Sequence, residues 1–225
     1  YSKSVFFNGT TKTGTFTFSF ATDGNGEGLY QFNIKVYDES DDLVNDWVWN
    51  ETGYTESGYD VTVPDSGCIV ANAYWTSVGI IQIDWNATDN VNLSYIELYY
   101  RYRTDNASSW GIWSLTPYYE KINGTSDSGT WTIDLLELDG EGIYEFYTVV
   151  YDASNDGVND NETAPPAPAD SACGYDITPP SSVVDTISPY IQSSTPFTIT
   201  VTASDTLSGV KEITLWYRNS TDNIT

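Results

Sequence analysis

Apolar and polar residues alternate with a period of two along much of this chain. Ile81, Ile83, Trp85 and Ala87 alternate with Gln82, Asp84 and Asn86. Further on, Phe197, Ile199, Val201 and Ala203 alternate with Thr198, Thr200 and Thr202. Successive strand side chains point to opposite faces, so this pattern predicts strands with one buried face. The same reading places Ile96, Leu98 and Tyr100 inward, echoed by Ile213, Leu215 and Tyr217. It pairs Phe16, Phe18 and Phe20 with Trp131, Ile133 and Leu135, and Tyr30, Phe32, Ile34 and Val36 with Tyr144, Phe146, Thr148 and Val150. Turns rich in Gly, Asn and Asp separate these runs, and no helical period appears. The predicted class is all-β: about seven short strands per unit, arranged as an antiparallel sandwich.

These echoes are internal repeats. Gly58-Tyr59-Asp60-Val61-Thr62 recurs as Gly174-Tyr175-Asp176-Ile177-Thr178, 116 residues later. Gly28-Leu29-Tyr30-Gln31-Phe32 matches Gly142-Ile143-Tyr144-Glu145-Phe146 at an offset of 114. Ile96 to Arg101 matches Ile213 to Arg218 at an offset of 117. A repeat of about 115 residues divides the chain unevenly. Residues 1–63 are the C-terminal part of a unit, 64–178 a complete unit, and 179–225 the N-terminal part of the next. Copies placed end to end read as a nearly continuous array. The absence of an initiator Met and of an apolar leader marks a processed chain or an excerpt.

Composition narrows the partners. The 225 residues carry 8 Lys plus Arg against 32 Asp plus Glu, a net charge of -24. That field opposes nucleic acid and anionic membranes, and no apolar run is long enough to insert in a bilayer. Histidine is absent, which removes Ser-His, Cys-His and imidazole–metal chemistry. Aromatics at 15% supply enough apolar surface to offset chain ordering despite the charge. Nine of sixteen Asn begin an Asn-x-Ser/Thr: Asn8, Asn50, Asn86, Asn92, Asn106, Asn123, Asn161, Asn219 and Asn223. Chance gives roughly four, so the excess points to covalent N-glycans on an exported, extracellular protein. The competing explanation is that Asn, Ser and Thr all favour turns and cluster there.

The segment Asp139-x-x-Gly142-x-Tyr144-x-Phe146 resembles the tyrosine corner of immunoglobulin-like domains, with Tyr30 as its repeat. Three further signatures extend the likeness. They are Pro179-Pro180-Ser181-Ser182 leading to Ser208-Gly209-Val210-Lys211-Glu212-Ile213, then Leu215-Trp216-Tyr217-Arg218, and Tyr151-Asp152 followed by Ala169-Asp170-Ser171-Ala172-Cys173-Gly174-Tyr175-Asp176. Together they resemble the tandem Ig-like repeats of archaeal surface and surface-layer-like proteins. Residues 64–88 depart from the pattern, with Asp65-Ser66-Gly67-Cys68 in place of the Pro-Pro-Ser-Ser start. The resemblance implies tandem immunoglobulin-like antiparallel β-sandwiches at a cell surface. It also implies that the strands bearing Cys68 and Cys173 start at one end of the sandwich, where a disulfide would close a loop of about 100 residues. Two free buried thiols, or a bridge to a neighbouring chain, are the alternatives.

Candidate chemistry is sparse. Acidic runs after equivalent strands, Asp38, Asp42 and Asp46 in one and Asp152, Asp156 and Asp160 in the other, suit calcium, which takes six to eight oxygens. Solvated turns are the competing reading. Trp110, Trp113, Tyr99, Trp216, Trp47 and Trp49 are candidates for a sugar platform, an interface or edge packing. Carboxylates lie in turns and repeat from unit to unit, which suits structure rather than a single active site. The expected protein is non-catalytic and structural, assembling with copies of itself into a surface layer, sheath or filament. Its two partial units would complete a sandwich with the adjacent copy. An adhesin or carbohydrate-binding stalk is the alternative.

Overall fold

A computed structural model describes residues 13–37, 53–153, 161 and 168–220, and the backbone alone of 47–49. Among these residues all regular structure is β. No helix is long and apolar enough to cross a membrane. The first segment holds β1 (Gly28–Phe32), β2 (Lys35–Tyr37), β3 (Trp47–Trp49) and β4 (Thr55–Tyr59). The middle segment holds β5 (Asp65–Val70), β6 (Trp75–Thr76), β7 (Ile80–Thr88), β8 (Leu93–Arg103), β9 (Ser114–Lys121), β10 (Ser126–Asp134), β11 (Gly142–Asp152) and β12 (Ser171–Tyr175). The last holds β13 (Ser181–Val184) and β14 (Val201–Ser204).

The middle segment forms two sheets, ordered β10-β7-β5 and β6-β12-β11-β8-β9. Every ladder is antiparallel except β12 with β6. Alternation sets which face each strand buries. Along β7, Ile81, Ile83 and Ala87 are fully buried and Trp85 nearly so, while the intervening residues are exposed. They meet Trp131 and Ile133 of β10, Ile96 and Leu98 of β8, and Tyr144, Phe146 and Val150 of β11 in one apolar cluster. Both sheets therefore share a core. Thr148 is buried on the same strand, its hydroxyl donating to the Asp170 carboxylate at 2.9 Å and accepting from Ser66 Oγ at 3.0 Å, which offsets the cost of burying it.

The strand β11 departs from simple alternation. Ile143, Tyr147 and Val149 on its second face are buried as well as Tyr144, Phe146 and Val150. Tyr147 packs edge-on to Trp113, with ring centroids 6.1 Å apart. A strand central to its sheet is covered on both faces when large neighbours lie over it, and local alternation does not register that.

The end segments contain only part of this arrangement. Their ladders are β1 with β4, β2 with β3, and β13 with β14. Residues 16–20 and 213–217, expected as strands, join no ladder. The expected strand over 197–203 is paired only from Val201. The physical reason is the want of a partner strand. In the middle segment, the equivalents of 16–20 lie in and just after β10, which bonds β7, and those of 213–217 lie in β8, which bonds β11 and β9. Neither end segment carries its own copy of those partner strands.

Cys68 and Cys173 are both free thiols, so the anticipated bridge is not formed. Cys68 is instead hydrogen-bonded to the Asp170 carboxyl. Burial pushes the Cys173 thiol up to about 12, and both side chains behave as small core residues.

Candidate metal centre at the junction of two segments

Three carboxylates converge where the first segment meets the middle one. Asp60 follows the last residue of β4, Asp89 follows β7, and Asp152 ends β11. One oxygen from each lies within 4.8 Å of the others. Asp60 and Asp152 are only 7% and 5% exposed. The β-ladders fix their positions, since Tyr59, Thr88 and Asp152 are each held in register by a neighbouring strand. Burial pushes the Asp60 carboxyl up to about 6, helped by the charges of Asp89, Asp152 and Glu27 and opposed by a hydrogen bond from the Thr62 N–H.

Asp89 is oriented by its own loop. Its Oδ2 accepts the N–H groups of Val91 at 2.7 Å and Asn92 at 2.8 Å. Its Oδ1 is buried and has no hydrogen-bond partner. Glu27 ties the junction together beside this cluster. It accepts the Val61 N–H at 3.0 Å and the Thr62 hydroxyl at 2.7 Å, and the Asn90 amide also donates to it. Asn90 belongs to the middle segment, so this carboxylate spans the junction.

The same parts recur at the next junction. Glu141 accepts Ile177 N–H, Thr178 N–H and the Thr178 hydroxyl, matching the role of Glu27. Asp176, equivalent to Asp60, accepts the Ser208 N–H at 2.9 Å. Asp205, equivalent to Asp89, takes the Leu207 and Gly209 N–H groups on Oδ1. Asn106 Nδ2 donates to the Leu207 carbonyl at 2.8 Å, and Leu207 is buried at this contact. The two junctions are thus built by one repeated loop chemistry.

The sequence-based candidates fare unevenly. Among the described residues, Asp152 belongs to the cluster, together with Asp60 and Asp89. Asp38, Asp42, Asp46, Asp156 and Asp160 lie outside the described residues. Asp60 and Asp89 were not singled out, although Asp60 stands in the repeated Gly-Tyr-Asp motif, which was the available signal. Both tyrosine-corner residues bond back to the chain before them. The Tyr144 hydroxyl donates to the Gly140 carbonyl at 2.6 Å, and the Tyr30 hydroxyl to the Gly26 carbonyl at 2.5 Å. Among the sequons, Asn86, Asn106, Asn123, Asn161 and Asn219 are exposed and Asn92 is half-buried. Asn8, Asn50 and Asn223 lie outside the described residues.

The aromatic candidates are also sorted by geometry. Arg101 lies 5.0 Å from the Trp110 ring centroid and 4.9 Å from that of Trp113, and Arg103 lies 4.5 Å from Trp110. Arg101 is further paired with Glu145 at 2.5 Å. These indoles therefore stack on guanidinium groups of their own sheet, an arrangement that orders an otherwise polar strand face. Tyr99 is half-buried and donates to Glu97 at 3.1 Å, whereas Trp216 is 87% exposed. The side chains of Trp47 and Trp49 lie outside the described residues. Compared with protein-family models and with curated proteins, the chain finds no match.

Proposed function

We propose that this chain is a non-catalytic, extracellular structural protein of tandem immunoglobulin-like sandwiches. In this reading its end segments complete a sandwich with the adjacent copy, producing a surface layer, sheath or filament. One observation carries the reading. Residues whose equivalents form the core of the middle segment stand exposed in the end segments. Ile96 and Leu98 are fully buried, but Ile213 and Leu215 are each 50% exposed. Val150 is fully buried, but Val36 is 57% exposed. The two end segments are complementary in content, since the last carries equivalents of β5, β7 and β8 and the first those of β11 and β12. Joining them would cover both apolar faces and pair the open sheet edges.

The excess of exposed sequons supports an extracellular setting, where N-glycans and the negative charge keep an assembled surface hydrated. Nearest-neighbour contacts between like units would make the array a modular rod. The strand order β10-β7-β5 facing β6-β12-β11-β8-β9, with a tyrosine corner at β11, favours the immunoglobulin-like assignment for the complete unit.

Leu215→Lys tests the assembly. Burial of a Leu side chain is worth about 1.5–3 kcal/mol, so the variant should weaken self-association at least roughly tenfold. Sedimentation velocity over a concentration series reads this directly. Leu215 lies outside the 64–178 core, so the variant should keep its near-UV dichroism. Wild-type chain that stays monomeric at all concentrations would sink the assembly reading.

A further inference from the structure

We propose that Asp60, Asp89 and Asp152 bind a calcium ion that locks the junction between the first two segments. The inference rests on the junction geometry and stands apart from whether copies of the chain assemble.

Distance is the first argument. Calcium holds oxygens at about 2.3–2.6 Å, so two ligands on opposite sides of one ion stand at most about 5 Å apart. Three carboxylate oxygens mutually within 4.8 Å meet that limit without any rearrangement of the strands that carry them. The ligand type is the second. A hard cation takes carboxylate, carbonyl and water oxygens, and the chain has no histidine to favour a softer metal.

The third argument is independent of the clustering. Asp89 Oδ1 is sequestered from solvent and accepts nothing, while Oδ2 on the same carboxylate accepts two N–H groups. A buried carboxylate oxygen without a donor costs several kcal/mol unless a charge or hydrogen bond meets it. The loop has therefore oriented Asp89 so that one oxygen is satisfied by backbone and the other is left for a ligand. Asp60 and Asp152, both more than nine-tenths buried, each bring a carboxylate oxygen within 4.8 Å of the Asp89 carboxylate. A cation would meet the open Asp89 oxygen and offset the negative charge that the three carboxylates bring together.

The ion would join three separate pieces of chain: the end of β4, the loop after β7 and the end of β11. Only Asp60 comes from the first segment. Calcium would therefore set the angle between segments, while leaving the core of each intact.

The test uses the full chain, stripped with EDTA and dialysed. Isothermal titration with CaCl2 should show a saturable site with Kd of about 10⁻⁴ M or tighter, above the weak binding expected of an acidic surface. Asp60→Asn and Asp152→Asn, made separately, should each weaken that site at least tenfold. Glu137→Gln, which alters an exposed carboxylate just after β10, at the opposite end of β7 from Asp89, should leave it unchanged. Thermal unfolding separates a ligand role from a structural one. Without calcium, Asp60→Asn should melt at or above the wild-type temperature, because a crowded negative charge is removed. With calcium, only wild type and Glu137→Gln should gain stability. Absence of a saturable site, or a site that survives both junction variants, would overturn the proposal. So would an Asp60→Asn chain that is destabilised equally with and without calcium.

Discussion

Replacing Phe146 by Ala lowers the unfolding free energy of the middle unit by about 3–5 kcal/mol. Phe146 is fully buried in β11. It lies opposite Tyr100 of β8 in register and stacks with Tyr144 at 6.1 Å between ring centroids. Both sheets close over it, so the strands cannot collapse to fill the space that truncation leaves. Typical domains have only about 5–15 kcal/mol in total, so the loss removes a large share of the stability. Guanidinium denaturation followed by tryptophan fluorescence measures it, because Trp85 and Trp131 stack in the same core at 5.4 Å. A loss under about 1 kcal/mol would show that this residue is not enclosed as described.

Gly142→Ala is the second large effect, expected at about 3 kcal/mol or more. Gly142 begins β11 with φ of 154°, a conformation L-residues rarely adopt. A Cβ there would sit 2.2 Å from Tyr102 Cε2 and 2.7 Å from the Arg103 carbonyl oxygen. The ring cannot swing aside freely, because its hydroxyl bonds the Glu141 carbonyl at 2.5 Å. The repeat-equivalent Gly28 has φ of 147° but no atom within 4 Å of the same position. Gly28→Ala should therefore cost only the backbone term, about 1–2 kcal/mol. Equal effects at the two sites would mean that the steric argument is wrong and that conformation alone matters.

Much of this architecture was legible from residue patterns. Alternation in 81–87 identified a strand and its buried face, because β7 packs one face on the core and leaves the other in water. The repeat offsets located the equivalent positions across segments, including Tyr30 and Tyr144. What alternation did not reveal was the absence of ladders over 16–20 and 213–217. A strand needs a neighbour, and pairing depends on chain that lies elsewhere. The Cys68–Cys173 expectation failed for a related reason: proximity of strand starts does not decide where a thiol points, and Asp170 takes Cys68. The junction cluster was hidden because Asp60, Asp89 and Asp152 are separated by long stretches of sequence. Reading acidic runs favours carboxylates that are adjacent in the chain, whereas Asp60, Asp89 and Asp152 meet because they stand at or next to the ends of strands.

The central proposal, that end segments of adjacent copies complete one sandwich, makes a register prediction. In the middle unit, Phe146 lies opposite Tyr100 and Val150 opposite Ile96. Carried over by the repeat offsets, Phe32 of one copy should lie opposite Tyr217 of the next, and Val36 opposite Ile213. Lys35 and Lys211 then fall within reach of a short amine cross-linker. The most direct measurement is cross-linking mass spectrometry on an assembled mixture of ordinary and nitrogen-15-labelled chains. The expected result is a Lys35–Lys211 link that joins labelled to unlabelled chains. Links confined within single chains, or intermolecular links that avoid these two segments, would contradict it.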